Sequence, residues 1–163
     1  GIEVDILTDG KLDLSDKVLE KLDLVVAAVH SGFKQDREKM TKRIVRALEN
    51  PFVDILAHPS GRLLGARDPY EVEIDELMEA AKQNGKALEI NSTFERLDLD
   101  DIHCRKAKEM GIKMVIGTDA HHLDQMWMIS LGVAVARRGW LETPDLLNTL
   151  PFKGILKWCQ RTR

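Results

Sequence analysis

Histidine and aspartate residues directly follow three short apolar runs of the sequence. His30 comes after VVAAV, His58 after DILA, and Asp119 after MVIGT, with His121 two residues further on. Imidazole nitrogen and carboxylate oxygen together suit zinc, manganese or iron, whereas magnesium prefers oxygen ligands and water. If the apolar runs are strands whose ends meet, these residue types predict a site for divalent metal ions.

Five apolar segments supply the strands that would position these side chains. Their nearly continuous, β-branched character is typical of strands covered on both faces of a parallel sheet. Helical patterns over 36–49, 74–83 and 99–109 lie between the later segments, and shorter helices are expected to begin at Ser15 and Thr143. The predicted strands are residues 2–7, 24–29, 53–57, 87–90 and 114–116.

The spacing of the polar residues that end four of these strands indicates the architecture. His30, His58, Asn91 and Asp119 are 28, 33 and 28 residues apart, and one strand-helix unit of a (β/α)8 barrel averages about 31 residues. In such barrels the carboxyl ends of the strands meet at one mouth, where the chemistry takes place. A doubly wound open sheet is the alternative, but the glycine-rich phosphate turn that usually accompanies it is missing from the sequence. Five strands use up the chain, so we expect the later part of a barrel.

Length and composition limit the class of protein. The 163 residues predict one domain, and 44% hydrophobic with 31% charged residues is the balance of a globular protein. The net charge of -3 argues against a uniformly cationic, nucleic-acid-binding surface. Neither a membrane span nor a secretory signal is found, and Cys104 and Cys159 lack metal-site spacing. These features predict a cytoplasmic protein with two free thiols.

Other candidate residues allow more than one interpretation. Glu3 would lie at the mouth if its strand were upstream of Gly1, although a glutamate near a chain end is ordinarily a solvated charge. Arg62, in the loop after His58, could hold phosphate bidentately or form a surface ion pair. Asn91 could bind a ligand or simply end its strand. Cys104 has no neighbouring base in the sequence, so a nucleophilic role is not expected.

The whole pattern resembles one family. The chain contains, in order, the strings GIEVDILTDGKLD, VVAAVHSGF, NPFVDILAHPSGRLL, ALEINS, RLDLDD, GTDAHH and GVAVARRGWLE. From Gly1 to about Asn148 it resembles the polymerase and histidinol phosphatase (PHP) domain attached to bacterial and archaeal family X DNA polymerases. HPSGRLL and ARRGWLE favour this polymerase-attached branch over the free-standing histidinol phosphatases.

The resemblance implies a distorted (β/α)7 barrel of TIM-like type that holds up to three metal ions, usually manganese or zinc. Glu3 resembles the bridging carboxylate, His30 and His58 resemble ligands from successive strands, and Asp119 with His121 resembles the closing Asp-x-His motif. The opening His-x-His motif of the family, and the histidines that follow it, precede the glutamate segment. Residues 1–163 are therefore expected to form a single PHP-type domain fragment without the N-terminal strands and metal motifs.

The function implied for the intact parent is metal-assisted hydrolysis of DNA phosphodiesters, which removes nucleotides from 3′ ends during repair. In this hypothesis Asp119 and His121 serve the catalytic metals and Arg62 clamps the phosphate. The partners are DNA and the polymerase core. The alternatives are a noncatalytic structural module of the polymerase and a phosphatase for a small monoester such as histidinol phosphate. Six cations are candidates for DNA contact, and the alternative is that they are merely solvated charges near the terminus. They are Arg137, Arg138, Lys153, Lys157, Arg161 and Arg163.

Overall fold

A computed structural model describes residues 1–160 and shows an α/β fold built on five parallel strands. The strands pair in sequence order, so each crossover moves one position in the same direction across the sheet. The reversal of strand order that marks a doubly wound sheet is not seen among these five strands. All five predicted strands are confirmed, the first three with shorter bounds and the last two each one residue longer: β1 Ile2–Asp5, β2 Val25–Ala28, β3 Ile55–Leu56, β4 Ala87–Asn91 and β5 Met114–Gly117.

Helices alternate with the strands, and side-chain caps fix two of their starts. Asp36 accepts a hydrogen bond from the Lys39 amide at 2.9 Å, and Asp100 accepts one from the His103 amide at 2.9 Å. The helix expected at Thr143 is only a 3-10 turn. The α-helices are α1 Asp16–Leu19, α2 Arg37–Leu48, α3 Ile74–Gln83, α4 Asp101–Glu109, α5 Ile129–Arg138 and α6 Phe152–Cys159, and 3-10 turns cover Leu123–Met128, Thr143–Asp145 and Leu147–Thr149.

The two faces of the sheet have different partners. Alternate strand residues such as Val4, Leu88 and Ile116 point to the outer face and form the main core with the helices. The other face, called here the inner face, carries Ile55 and Ala87, which are partners in register. These two residues pack in a second cluster that also contains Leu147, Val26, Val115 and Trp158.

The segment after α5 covers the outer edge of β5. Leu146 forms an isolated parallel bridge with Met114. The Asn148 side chain accepts from the Ile116 amide at 2.7 Å and donates to the Ile116 carbonyl at 3.0 Å, as a neighbouring strand would. Residues 146–148 therefore satisfy the backbone groups of this edge. Among residues 1–160 no helix combines the length and apolar character that crossing a membrane requires.

Candidate metal centre

Glu3, His30 and His58 lie together at the carboxyl end of the inner face. Glu3 Oε1 is 3.1 Å from His30 Nε2 and 3.6 Å from His58 Nε2. One potential ligand atom from each residue lies within 4.8 Å of the others. Glu3 is inside β1, as the predicted strand 2–7 implies, and not beyond a strand that ends upstream of Gly1. It reaches the histidines because its side chain points to the inner face beside β2 and β3.

His58 is buried, with 1% of its surface exposed, and its backbone is in the left-handed region with φ of 30°. Its amide donates to Glu89 Oε2 at 2.8 Å, which fixes the loop at the end of β3. Neither ring nitrogen has a hydrogen-bond partner among residues 1–160. A buried polar atom without a partner is costly. The arrangement therefore suits a group that would coordinate the imidazole.

His30 is held between two carboxylates. Its Nδ1 is 2.5 Å from Asp5 Oδ1, while its Nε2 faces Glu3. Hydrogen bonds to Glu3 and Asp5 raise the pKa of His30 to about 9. The hydrogen bond from His30, with the nearby His58 imidazole, holds the pKa of Glu3 well below its usual range. Asp5 orients the imidazole in the way that carboxylates orient metal-bound histidines.

Asp119 follows β5 in a left-handed conformation with φ of 50°. Its Oδ2 accepts from Asn91 Nδ2 at 3.2 Å and lies 3.6 Å from Arg96 Nε. Asp119 is not in the three-residue group of close ligand atoms. His121 is further out, with 84% of its side chain exposed and its Nδ1 2.8 Å from the Asp119 carbonyl oxygen. The structure thus brings three of the five predicted ligands together.

Arg62 lies in the loop after β3 and is tied to the neighbouring loop after β4. Its Nε donates to the Arg96 carbonyl at 2.8 Å, its Nη2 donates to the Leu97 carbonyl, and its Nη1 is 3.6 Å from Asp100 Oδ2. The buried Asp98 accepts from amides at the start of the Arg62 loop. The loops after β3 and β4 are therefore held together. A phosphate-binding role for Arg62 stays a prediction.

Glu89 is a buried carboxyl group in the middle of β4, and sequence reasoning missed it. Burial raises its pKa to about 7 despite the hydrogen bond from the His58 amide. Gly117 makes room for it, because a Cβ at that position would lie 2.1 Å from Glu89 Oε1. Asp5 and Arg96 were missed as well. Charged residues at alternate positions of Ile2–Asp5 are the signal that could have found Asp5, and a single glutamate inside the apolar strand Ala87–Asn91 is the signal for Glu89.

The residues expected to contact DNA lie on two helices in the described part of the chain, α5 and α6. Arg138 pairs with Asp101 at 2.7 Å between α5 and α4. Lys153 and Lys157 are on α6, whose Trp158 packs against the inner-face cluster. The predicted contacts Arg161 and Arg163 lie outside the described residues.

Cys104 is buried, and burial raises the pKa of its thiol, which agrees with an inert residue. Its Sγ lies 3.7 Å from the Leu99 carbonyl oxygen. Cys159 is also a buried free thiol. Neither residue belongs to the three-residue cluster of potential ligands.

Comparison with known proteins shows which sequences the chain is similar to. No family model matches the chain. It is 45% identical over 161 residues to the DNA polymerase/3'-5' exonuclease PolX of Bacillus subtilis (strain 168). These residues make up 99% of the chain and 28% of that relative. It is 35% identical over 159 residues to the probable phosphatase Teth514_1060 of Thermoanaerobacter sp. (strain X514), covering 91% of the chain and 62% of the relative.

A second probable phosphatase, TTE1963 of Caldanaerobacter subterraneus subsp. tengcongensis, is 37% identical over 131 residues, which cover 74% of the chain and 49% of the relative. The chain has a parallel α/β fold with a histidine-carboxylate cluster, and its relatives include two proteins named probable phosphatases. Over nearly its whole length the chain is a homologue of PolX, as the resemblance predicted. It spans less than a third of the PolX relative and under two thirds of these two phosphatases.

Proposed function

We propose that the chain is part of a metal-dependent phosphoesterase domain of a PolX-type polymerase, which hydrolyses phosphodiesters at DNA 3′ ends in the intact parent. In this proposal the five parallel strands are part of a distorted (β/α)7 barrel. Their pairing in sequence order and the gathering of polar residues at one end support that architecture. The homology to a DNA polymerase/3'-5' exonuclease supports the substrate class.

The buried His58 imidazole carries the proposal. Its two ring nitrogens lack hydrogen-bond partners among the described residues, and Nε2 faces the Glu3 carboxylate. Imidazole and carboxylate are the donor set that manganese or zinc accepts. We assign Glu3, His30 and His58 as ligands from this geometry. Asp119 and His121 are added on the family resemblance.

The protein groups have distinct roles in the proposed hydrolysis. Divalent ions bound at the site would supply a water of lowered pKa and neutralise charge on the leaving oxygen. Asp5 orients His30, and Glu89 fixes the main chain that carries His58. Asn91 donates to Asp119 and so holds its carboxylate at the end of β5.

Metal binding tests the proposal directly. Isothermal titration of the chelator-treated chain with Mn²⁺ and Zn²⁺ should show binding that His58→Ala weakens at least about tenfold, in line with the loss of a ligand. His103→Ala is the matched control, because His103 is on α4 and bonds to Asp100 instead. Equal metal affinity in the two variants would refute the assigned site.

A small-molecule phosphatase is the second candidate, because two of the relatives are named probable phosphatases. A substrate panel separates the two activities. The chain, and the same chain preceded by the upstream residues of its gene, should be assayed with Mn²⁺ on 3′-ended oligonucleotides and on histidinol phosphate. Faster turnover of the oligonucleotide supports the nuclease, and the opposite preference supports the phosphatase. Metal binding without either activity would favour the noncatalytic module.

A further inference from the structure

Two arginines near the candidate site use their side chains to hold loops. Arg62 donates to the carbonyl oxygens of Arg96 and Leu97. Arg67 donates through Nε and Nη2 to the Gly61 carbonyl, at 3.0 and 2.8 Å. Main-chain carbonyls thus occupy much of the hydrogen-bonding capacity of both guanidinium groups.

Arg96 differs from these two residues. It lies on the loop after β4, and its Nε is 3.6 Å from Asp119 Oδ2. Its Nη1 is buried and has no hydrogen-bond partner in the described part of the chain. Asn91 already donates to the same Asp119 oxygen at 3.2 Å. A charged, largely buried guanidinium next to the candidate site therefore has an unused donor.

An anion is the chemical partner that such a group lacks. Guanidinium donors match the oxygens of a phosphoester, and a buried donor without an acceptor calls for a functional or solvent explanation. The Nε of the same guanidinium lies 3.6 Å from Asp119 Oδ2, and Asp119 is one of the ligands that the family resemblance adds to the proposed metal site. A phosphoester would bring negatively charged oxygens to that place.

We propose that Arg96 is the residue that binds the phosphoester oxygens of the substrate, and that Arg62 positions the loop on which Arg96 lies. This inference rests on the proposed phosphoesterase function and deepens it. It assigns to Arg96 the clamp that the sequence suggested for Arg62. The ligand class is a phosphate mono- or diester.

Binding of inorganic phosphate tests the assignment. Titration of the chain with phosphate, with and without Mn²⁺, should show an affinity that Arg96→Gln lowers about tenfold or more and that Arg96→Lys lowers less. Arg105→Gln is the control, because Arg105 pairs with Glu109 at 3.0 Å and its guanidinium lies 4.2 Å from the centre of the Trp140 ring. Metal uptake is measured separately on every variant, so that a damaged site is recognised.

Each outcome decides one of the two proposals. Phosphate affinity that is unchanged in Arg96→Gln, or no measurable phosphate binding in the wild-type chain, overturns the assignment of Arg96. Loss of phosphate binding in Arg62→Gln but not in Arg96→Gln also overturns it and returns the role to Arg62. Phosphate binding that depends on Arg96 in a chain that takes up no metal supports Arg96 and refutes the assignment of Glu3, His30 and His58 as a metal site in this chain.

Discussion

The buried carboxyl group of Glu89 predicts a pH dependence of stability that one substitution should remove. Burial raises its pKa to about 7 from the usual 4.5, so the folded chain binds more protons than the unfolded chain between these pH values. Stability contributed by this group is therefore complete below pH 4.5 and is lost as the pH rises through about 7. Glu89→Gln cannot ionise, and its amide oxygen can still accept from the His58 amide.

The size of the effect follows from the shift in pKa. At 1.36 kcal/mol for each pKa unit, a rise from 4.5 to about 7 sets a ceiling of about 3 kcal/mol. We therefore expect the free energy of unfolding of Glu89→Gln, relative to wild type, to increase by about 2 to 3 kcal/mol between pH 4.5 and pH 8. The comparison between pH values cancels effects of the substitution that do not depend on ionisation.

Urea unfolding in the presence of a chelator measures this difference. The slopes with denaturant should agree between the variants, so that the midpoints report stability alone. Glu95→Gln is the matched control, since Glu95 is exposed in the loop after β4 and should show no comparable pH effect. A Glu89→Gln chain whose relative stability is constant, or falls, between pH 4.5 and pH 8 would show that the carboxyl group is not destabilised by burial.

Two further predictions concern packing and the metal-free cluster. Gly117→Ala places a Cβ 2.1 Å from Glu89 Oε1 and should lower the free energy of unfolding by about 1 to 3 kcal/mol. Gly154→Ala in α6 is the control, because its Cβ meets no atom closer than 3.4 Å and the change should be neutral or stabilising. Urea unfolding curves that rank the two variants in the opposite order would contradict this prediction. With metal removed, the stability contributed by His30 is complete below pH 6.5 and is lost as the pH rises through about 9. Because 41% of the His30 side chain is exposed, we expect this contribution to the free energy of unfolding to be only about 1 kcal/mol. If the difference in unfolding free energy between wild type and His30→Ala does not change from pH 6 to pH 9.5, the prediction is refuted.

Much of the fold could be predicted because local signals agree with tertiary packing. The β-branched runs become strands, and Asp36 caps α2 where its helical pattern begins. Helix α5 was missed because Ile129–Arg138 contains β-branched residues and Gly132, which are poor helix formers. A Cβ at Gly132 would lie 2.5 Å from the Ile116 side chain and 2.7 Å from the Ser92 side chain. Close packing on the sheet thus explains the glycine, and no local pattern reveals it.

The apolar runs alone made the candidate site predictable where its residues end strands. His30 and His58 were found because a polar residue follows an apolar run in each case. Asp5 and Glu89 escaped because they lie inside strands, where burial and partners depend on which face the strand turns inward. Glu3 was predicted for its chemistry, and it lies inside β1 and not beyond a strand that ends upstream of Gly1.

The inner face of the sheet explains why the candidate site is at one end only. Toward the amino ends of the strands this face is apolar, and Leu147 and Trp158 pack on it. Two residues beyond Ala87, at Glu89, the same face becomes polar, since alternation along β4 keeps both side chains on one side. Glu3 is the exception, since it is in register with Val26 on the apolar row, and 40% of its side chain is exposed. The loop after β4, which carries Arg96, lies at the polar end of this face, opposite the apolar contacts of Leu147 and Trp158.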